Sequence, residues 1–182
     1  MRQTLAITLA ISVFLTGCSA QRAAAHSAGQ IPGLYASAHG FSARVETTVN
    51  RGDTENDFTL LWTTDDSGAS IEIAAPESVA GIRAVITPDT RSLVYDGAAL
   101  TLPETVSPLE LLPMLSLAWE NPYAAFETGD GSVTLFYYET HAGEAYELRT
   151  RFDAETLLPL EAAVFCGGER IVLYRFSLFS FT

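Results

Sequence analysis

Residues 42–73 read SARVETTVNRGDTENDFTLLWTTDDSGASIEI. Ala43, Val45, Thr47 and Val49 alternate with Arg44, Glu46, Thr48 and Asn50, the period of two that suits a half-buried strand. Phe58, Leu60 and Trp62 repeat the spacing in a second strand, and Ile71 and Ile73 mark a third. Asp65-Asp66-Ser67-Gly68 stands between the last two and is made of turn residues. Connections this short join antiparallel strands, because a parallel pair needs a crossover of about a dozen residues or more.

The rhythm continues outward. Ile82, Ala84 and Ile86 form a fourth strand closed by Pro88-Asp89-Thr90, and Leu93 with Tyr95 a fifth. Asp96-Gly97 is a tight hairpin turn into Ala99–Leu102. Ser107-Pro108-Leu109-Glu110 then carries three helix-start signals: a capping serine, a proline suited to the first helical position and a capping-box glutamate. Leu109, Leu112, Leu115, Ser116 and Trp119 share one face at spacings of three and four, and Pro113 is expected to kink or split the helix. Asn121-Pro122 ends it, and Tyr123–Phe126 reads as a further short helix.

Strands return with Val133, Leu135 and Tyr137, although Phe136 and Tyr138 make the other face apolar too. His141-Ala142-Gly143-Glu144 is a turn, and Tyr146, Leu148, Thr150 and Phe152 alternate cleanly behind it. Asp153-Ala154-Glu155-Thr156 turns into Leu158–Phe165, and Gly167-Gly168 into Ile171–Phe181. In that last strand Val172, Tyr174, Phe176 and Leu178 stand beside Leu173, Phe179 and Phe181, so each face is expected to be covered. The whole is about ten antiparallel strands with one helical insertion after the sixth. A sheet of that size with one or two short helices curls around them, giving a mainly β (α+β) fold, an open half-barrel with a short helical plug.

The N-terminus announces a destination. Arg2 precedes a mostly apolar run from Leu5 to Leu15, the length of a signal-peptide core and short of the about 20 residues needed to span a bilayer. Leu15-Thr16-Gly17-Cys18 follows it. Plain secretory cleavage near Ala20 is the alternative, but it leaves the cysteine directly after Leu-Thr-Gly without a role. Residues 1–17 are therefore read as a leader, 18–40 as a modified cysteine and flexible tether, and 41–182 as the folded domain.

Composition narrows the rest. Ten arginines and no lysine stand against 22 acidic residues, a formal charge of -12. Such a body repels nucleic acid and anionic headgroups, so membrane attachment has to come from a lipid anchor. With Cys18 modified, Cys166 has no intrachain partner and reads as a free, mostly buried thiol. Of the three histidines, His26 and His39 fall in or near the tether and His141 in a turn. No GxSxG, HExxH, P-loop or GxGxxG is present. Asp65-Asp66 and the pair Glu127 and Asp130 come nearest to a loose calcium site, but they sit in turns where acids serve turn geometry. No enzyme activity, cofactor or metal is expected.

Leu15–Cys18 resembles the lipobox of bacterial lipoproteins, which implies a diacylglycerol on the Cys18 sulfur and an extracytoplasmic, lipid-anchored place at a cell membrane or outer membrane. The domain resembles the LolA-like family of lipoprotein carriers and their relatives. The resemblance rests on Phe41-Ser42-Ala43, on Ile71–Pro76 as a strand ending in proline, on Tyr95-Asp96-Gly97 before the helix, and on Asp153–Pro159 before the last two strands. It implies a curved sheet and inner helices around a cavity for acyl chains. Two departures stand out: carriers have a long helix ahead of the first strand, whereas Pro32, Gly33 and Gly40 leave room for little more than one turn here, and carriers lack an anchor.

The expected function is binding of a lipid, acyl chain, lipoprotein or other apolar ligand. The cavity lining expected from sequence is Leu109, Leu112, Leu115 and Trp119 on the helix, with Phe58, Trp62, Tyr146 and Leu148 from the sheet. The same residues suit an ordinary filled core. In that case the domain is an envelope interaction or sensor module that binds a protein partner.

Overall fold

The alternation that begins at Phe41 becomes the first of eleven strands in a computed structural model, which describes residues 28–101, 108–128, 130–141 and 143–182. The strands are β1 Phe41–Arg51, β2 Thr54–Asp65, β3 Gly68–Ala75, β4 Arg83–Ile86, β5 Arg91–Tyr95 and β6 Ala98–Thr101, then β7 Ala124–Thr128, β8 Ser132–His141, β9 Glu144–Asp153, β10 Pro159–Cys166 and β11 Glu169–Phe181. All pair antiparallel in one open sheet of order β6-β5-β4-β3-β2-β1-β11-β10-β9-β8-β7. Every neighbouring pair is a hairpin except the central β1–β11 pair, where Val49 lies opposite Val172. Helix α1 (28–37) precedes the sheet, and α2 (Pro108–Glu120) is the insertion between β6 and β7.

The expected turns form. Asp65 pairs with Gly68 and Tyr95 with Ala98 across two-residue loops. Asp96 and Gly97 adopt φ of 47° and 79°, the doubly left-handed turn that matches the twist of a hairpin. Tyr123–Phe126, expected to be helical, instead contributes to edge strand β7, whose Ala124 pairs with Phe136. Pro113 does not split α2, which runs unbroken from Pro108 to Glu120. Its missing N–H leaves one hydrogen bond unmade near the start, while Leu111, Leu112, Leu115, Ala118 and Trp119 all bury against the sheet.

The largest departure is α1. Residues 28–40 are not tether, and the folded part reaches back beyond the expected boundary at 41. Ile31 and Tyr35, one turn apart, are buried in the core, with Ala28 and Leu34 against its edge. An interior proline costs a helix about 3 kcal/mol and a glycine about 1. Burying Ile31 and the Tyr35 ring returns about 1.5–3 kcal/mol each, enough to offset Pro32 and Gly33.

The two apolar faces expected of β11 resolve into one. Ser42 lies opposite Ser180 but Arg44 opposite Ser177, so β11 carries an extra residue there. Leu178 takes up the irregularity at φ 49°. Val172, Tyr174 and Phe176 face inward before the bulge, and Phe179 and Phe181 after it. Leu178 is thrown out to 81 % exposure. Leu173, on the outer face, is buried as well.

Candidate ligand cleft at the mouth of the half-barrel

The sheet's inner face and the two helices close on an aromatic cluster. Trp119 meets Tyr35 at 5.0 Å between ring centroids, Trp62 at 5.6 Å and Phe152 at 5.6 Å. Its indole N–H donates to Thr150 Oγ1 at 2.9 Å. Trp62, Leu112, Leu115, Trp119 and Leu148, all expected to line a cavity, share one fully buried cluster. Tyr146 is also buried there and donates its hydroxyl to Glu144 at 3.0 Å, and Phe58 packs half-buried at the cluster's edge. Leu109 belongs to α2, but its side chain lies outside the described residues, as do Cys18, His26 and Ser107 altogether. None of the expected lining residues that are described borders the cleft.

The cleft, about 410 Å³, opens instead at one end of the half-barrel. Its walls are the end of α1 with Tyr35 and His39, the start of β1 at Phe41, the β2–β3 turn, the end of β4 at Ile86, and the outward side of α2 at Pro113, Leu117 and Glu120. Two glycines let the wall strands close up. A Cβ on Gly40 would fall 2.1 Å from the Thr64 carbonyl oxygen, and one on Gly68 2.1 Å from that of Ile86. Leu117 stays 56 % exposed because it faces this opening rather than the core.

The walls are mostly apolar and the rim is acidic. Asp65 Oδ1 accepts from the Ser67 hydroxyl and backbone N–H, which holds its carboxyl below the usual range. Asp66 Oδ2 lies 3.5 Å from His39 Nδ1, an ion pair when the imidazole is protonated. Glu120, on the last turn of α2, is partly desolvated, which raises its pKa. No basic residue occupies that turn, and among the described residues no arginine lines the cleft. Three arginines lie on the outer face, where Arg44 pairs with Glu46, Arg175 with Glu161, and Arg149 with Glu147 while stacking 4.3 Å over Phe165. Arg91, by contrast, stands opposite Ile86 on the inner side of β5.

Sequence reasoning missed the cleft because its walls come from loop and helix ends that obey no period. The spacing of Ala28, Ile31 and Tyr35 was the available signal for its α1 wall. The acidic turns behave as turn geometry requires: Asp130 Oδ1 accepts from the Ser132 N–H at 3.2 Å and its hydroxyl at 2.7 Å. Cys166, expected to be mostly buried, ends β10 only half-buried, with Sγ 3.6 Å from Glu144 Oε2. Burial first, and then the Glu144 carboxylate, push its thiol up, the opposite of what a reactive thiolate needs.

No family model matches the sequence, and neither does any curated protein. Solved structures do match the fold. A putative outer membrane lipoprotein-sorting protein domain from Vibrio parahaemolyticus is 9 % identical with a TM-score of 0.51, over 85 % of this chain and 91 % of its own. A DUF1329 family protein from Desulfovibrio piger is 11 % identical with a TM-score of 0.51, over 88 % and 92 %. One chain in the structure of the CwlD amidase from Clostridioides difficile in complex with the GerS lipoprotein is 14 % identical with a TM-score of 0.52, over 82 % and 90 %. The eleven-stranded sheet folded over two short helices is an open half-barrel, the fold that it shares with the lipoprotein-sorting domain.

Proposed function

We propose that this chain is a lipid-anchored, extracytoplasmic binding protein of the cell envelope, without catalytic activity, that holds an apolar chain in the cleft beside α2. The observation that carries this reading is the cleft itself: about 410 Å³, mostly apolar, within the range of about 300–1,000 Å³ typical of small-ligand sites. The described residues of the expected lining pack in or against the buried cluster, which supports assigning the ligand to the mouth of the half-barrel.

Native mass spectrometry of the protein purified from its own cells tests this. A lipid-sized adduct beyond the anchor is expected, removable by organic extraction and diminished in Leu117→Asp, a change at an exposed position. An adduct-free protein, or an adduct indifferent to Leu117, overturns the reading. The anchor has a separate test, since Cys18→Ser should move the protein from membranes to the soluble fraction. Unchanged retention would exclude acylation at that residue.

A second reading, a module that binds an envelope protein, is favoured by the burial of the inner cluster among the described residues. It draws support from the amidase–lipoprotein complex among the structures of similar fold. A cleft that proves empty in cells, with a single partner cross-linked to the domain, would establish it instead.

A further inference from the structure

The charge distribution around the cleft narrows the ligand, an inference that rests on the reading above. Leu117, Ile86, Phe41 and the Tyr35 ring form an apolar wall, whereas the ionisable side chains beside them are Asp65, Asp66, Glu120 and one imidazole. His39 is engaged with Asp66. Glu120 has no hydrogen bond or ion pair among the described residues, and it stands where the helix macrodipole already gathers negative charge. A carboxylate there is opposed both by desolvation and by the dipole, and a cation beside it relieves both.

We propose that the cleft takes an aliphatic amphiphile with a cationic amine head, a lipid of the adjoining leaflet, its ammonium against Glu120 and its chain on the wall of Phe41, Ile86 and Leu117. An anionic amphiphile would meet three carboxylates and, among the described residues that line the cleft, no arginine. A neutral one would leave Glu120 unpaired.

Isothermal titration of the chain from residue 18 onward, carrying Cys18→Ser so that no acyl group of its own competes, tests the assignment. The probes are dodecylammonium, dodecanol, dodecanoate and butylammonium, each below its micelle concentration at low ionic strength. Dodecylammonium is expected to bind roughly tenfold tighter than dodecanol, dodecanoate weakest, and butylammonium not measurably. In Glu120→Gln, which keeps the side-chain shape, the preference for the amine over the alcohol should shrink to about threefold or less. Equal binding of the three long-chain probes overturns the headgroup assignment while leaving an apolar site in place. Binding of butylammonium as tight as that of dodecylammonium, or an unchanged preference in Glu120→Gln, overturns it as well. If no long-chain probe binds at all, the apolar-chain reading itself fails.

Discussion

Trp119 on the last turn of α2 is fastened to Thr150 in the middle of β9 by an indole N–H···Oγ1 hydrogen bond of 2.9 Å, fully inside the core. It is a directional contact between plug and sheet, beside the one that the Tyr35 hydroxyl donates to the Leu157 carbonyl at 3.2 Å. Thr150→Val keeps the volume but orphans a buried donor, which costs about 1–3 kcal/mol. Thr150→Ser keeps the acceptor and should lose less. Urea unfolding at constant m-value measures both, and a Val variant as stable as the wild type would show that the bond contributes nothing.

Leu178 carries a side chain where the bulge of β11 needs a left-handed backbone, at φ 49°, and that side chain is largely exposed. Left-handed geometry costs a non-glycine residue about 1–2 kcal/mol, part of which glycine gives back as unfolded-chain entropy. Leu178→Gly should therefore stabilise the domain by about 0.5–1 kcal/mol, a rise of a few degrees in Tm. A fall in Tm would mean that the leucine is held by something outside the described residues.

Gly68 and Gly52 offer a controlled comparison. Both have positive φ, but a Cβ at Gly52 meets open space whereas one at Gly68 meets the Ile86 backbone. Gly52→Ala should cost about 1 kcal/mol from backbone strain alone, and Gly68→Ala about 2–4 kcal/mol because β3 and β4 must part. Thermal unfolding of the two variants side by side decides it.

Alkaline pH should unfold this protein early. Burial raises the pKa of Tyr174 and Tyr35 well above the ordinary phenol value of 10.0. Folded tyrosines then hold their protons while unfolded ones release them. The stabilisation is complete below about pH 10 and is lost as pH climbs above it, by up to about 1.4 kcal/mol per pH unit for each tyrosine. Urea midpoints should be level between about pH 7 and 9 and fall beyond 10. Tyr146, pushed up to about 12 by burial and the Glu144 hydrogen bond, adds to the slope, as do Tyr137 and the Cys166 thiol, both also shifted up. Tyr35→Phe should therefore lower the slope without abolishing it, and an unchanged slope would remove Tyr35 from the account.

The strands were the legible part of this sequence. Alternation in Ala43–Val49, Phe58–Trp62 and Tyr146–Phe152 reports burial directly, because a sheet with one inner face fixes which residues must be apolar. Turn residues at Asp65–Gly68 and Asp96-Gly97 located the hairpins for the same local reason. Helix α1 was hidden because Pro32 and Gly33 argue against it locally, and only the distant pocket awaiting Ile31 and Tyr35 overrides them. The cleft was hidden for a related reason: Tyr35, Ile86 and Leu117 are brought together by tertiary structure alone. The β11 pattern misled because a single bulge shifts its phase, and nothing in Phe176-Ser177-Leu178-Phe179 marks where the extra residue falls.

The pairing of β1 with β11 sets the order of events in folding. The six strands before α2 and the five after it are each joined by local hairpins, so either half can assemble as it emerges. The seam between them, with Phe41 opposite Phe181, closes only when the last thirteen-residue strand arrives. Until then β1 offers an unpaired edge, the feature that invites chains to pair with one another. Bringing such distant partners together is also the slow kind of contact. A chain cut or stalled before Glu169 would therefore lose its centre rather than its margin, leaving two half-sheets with nothing to join them.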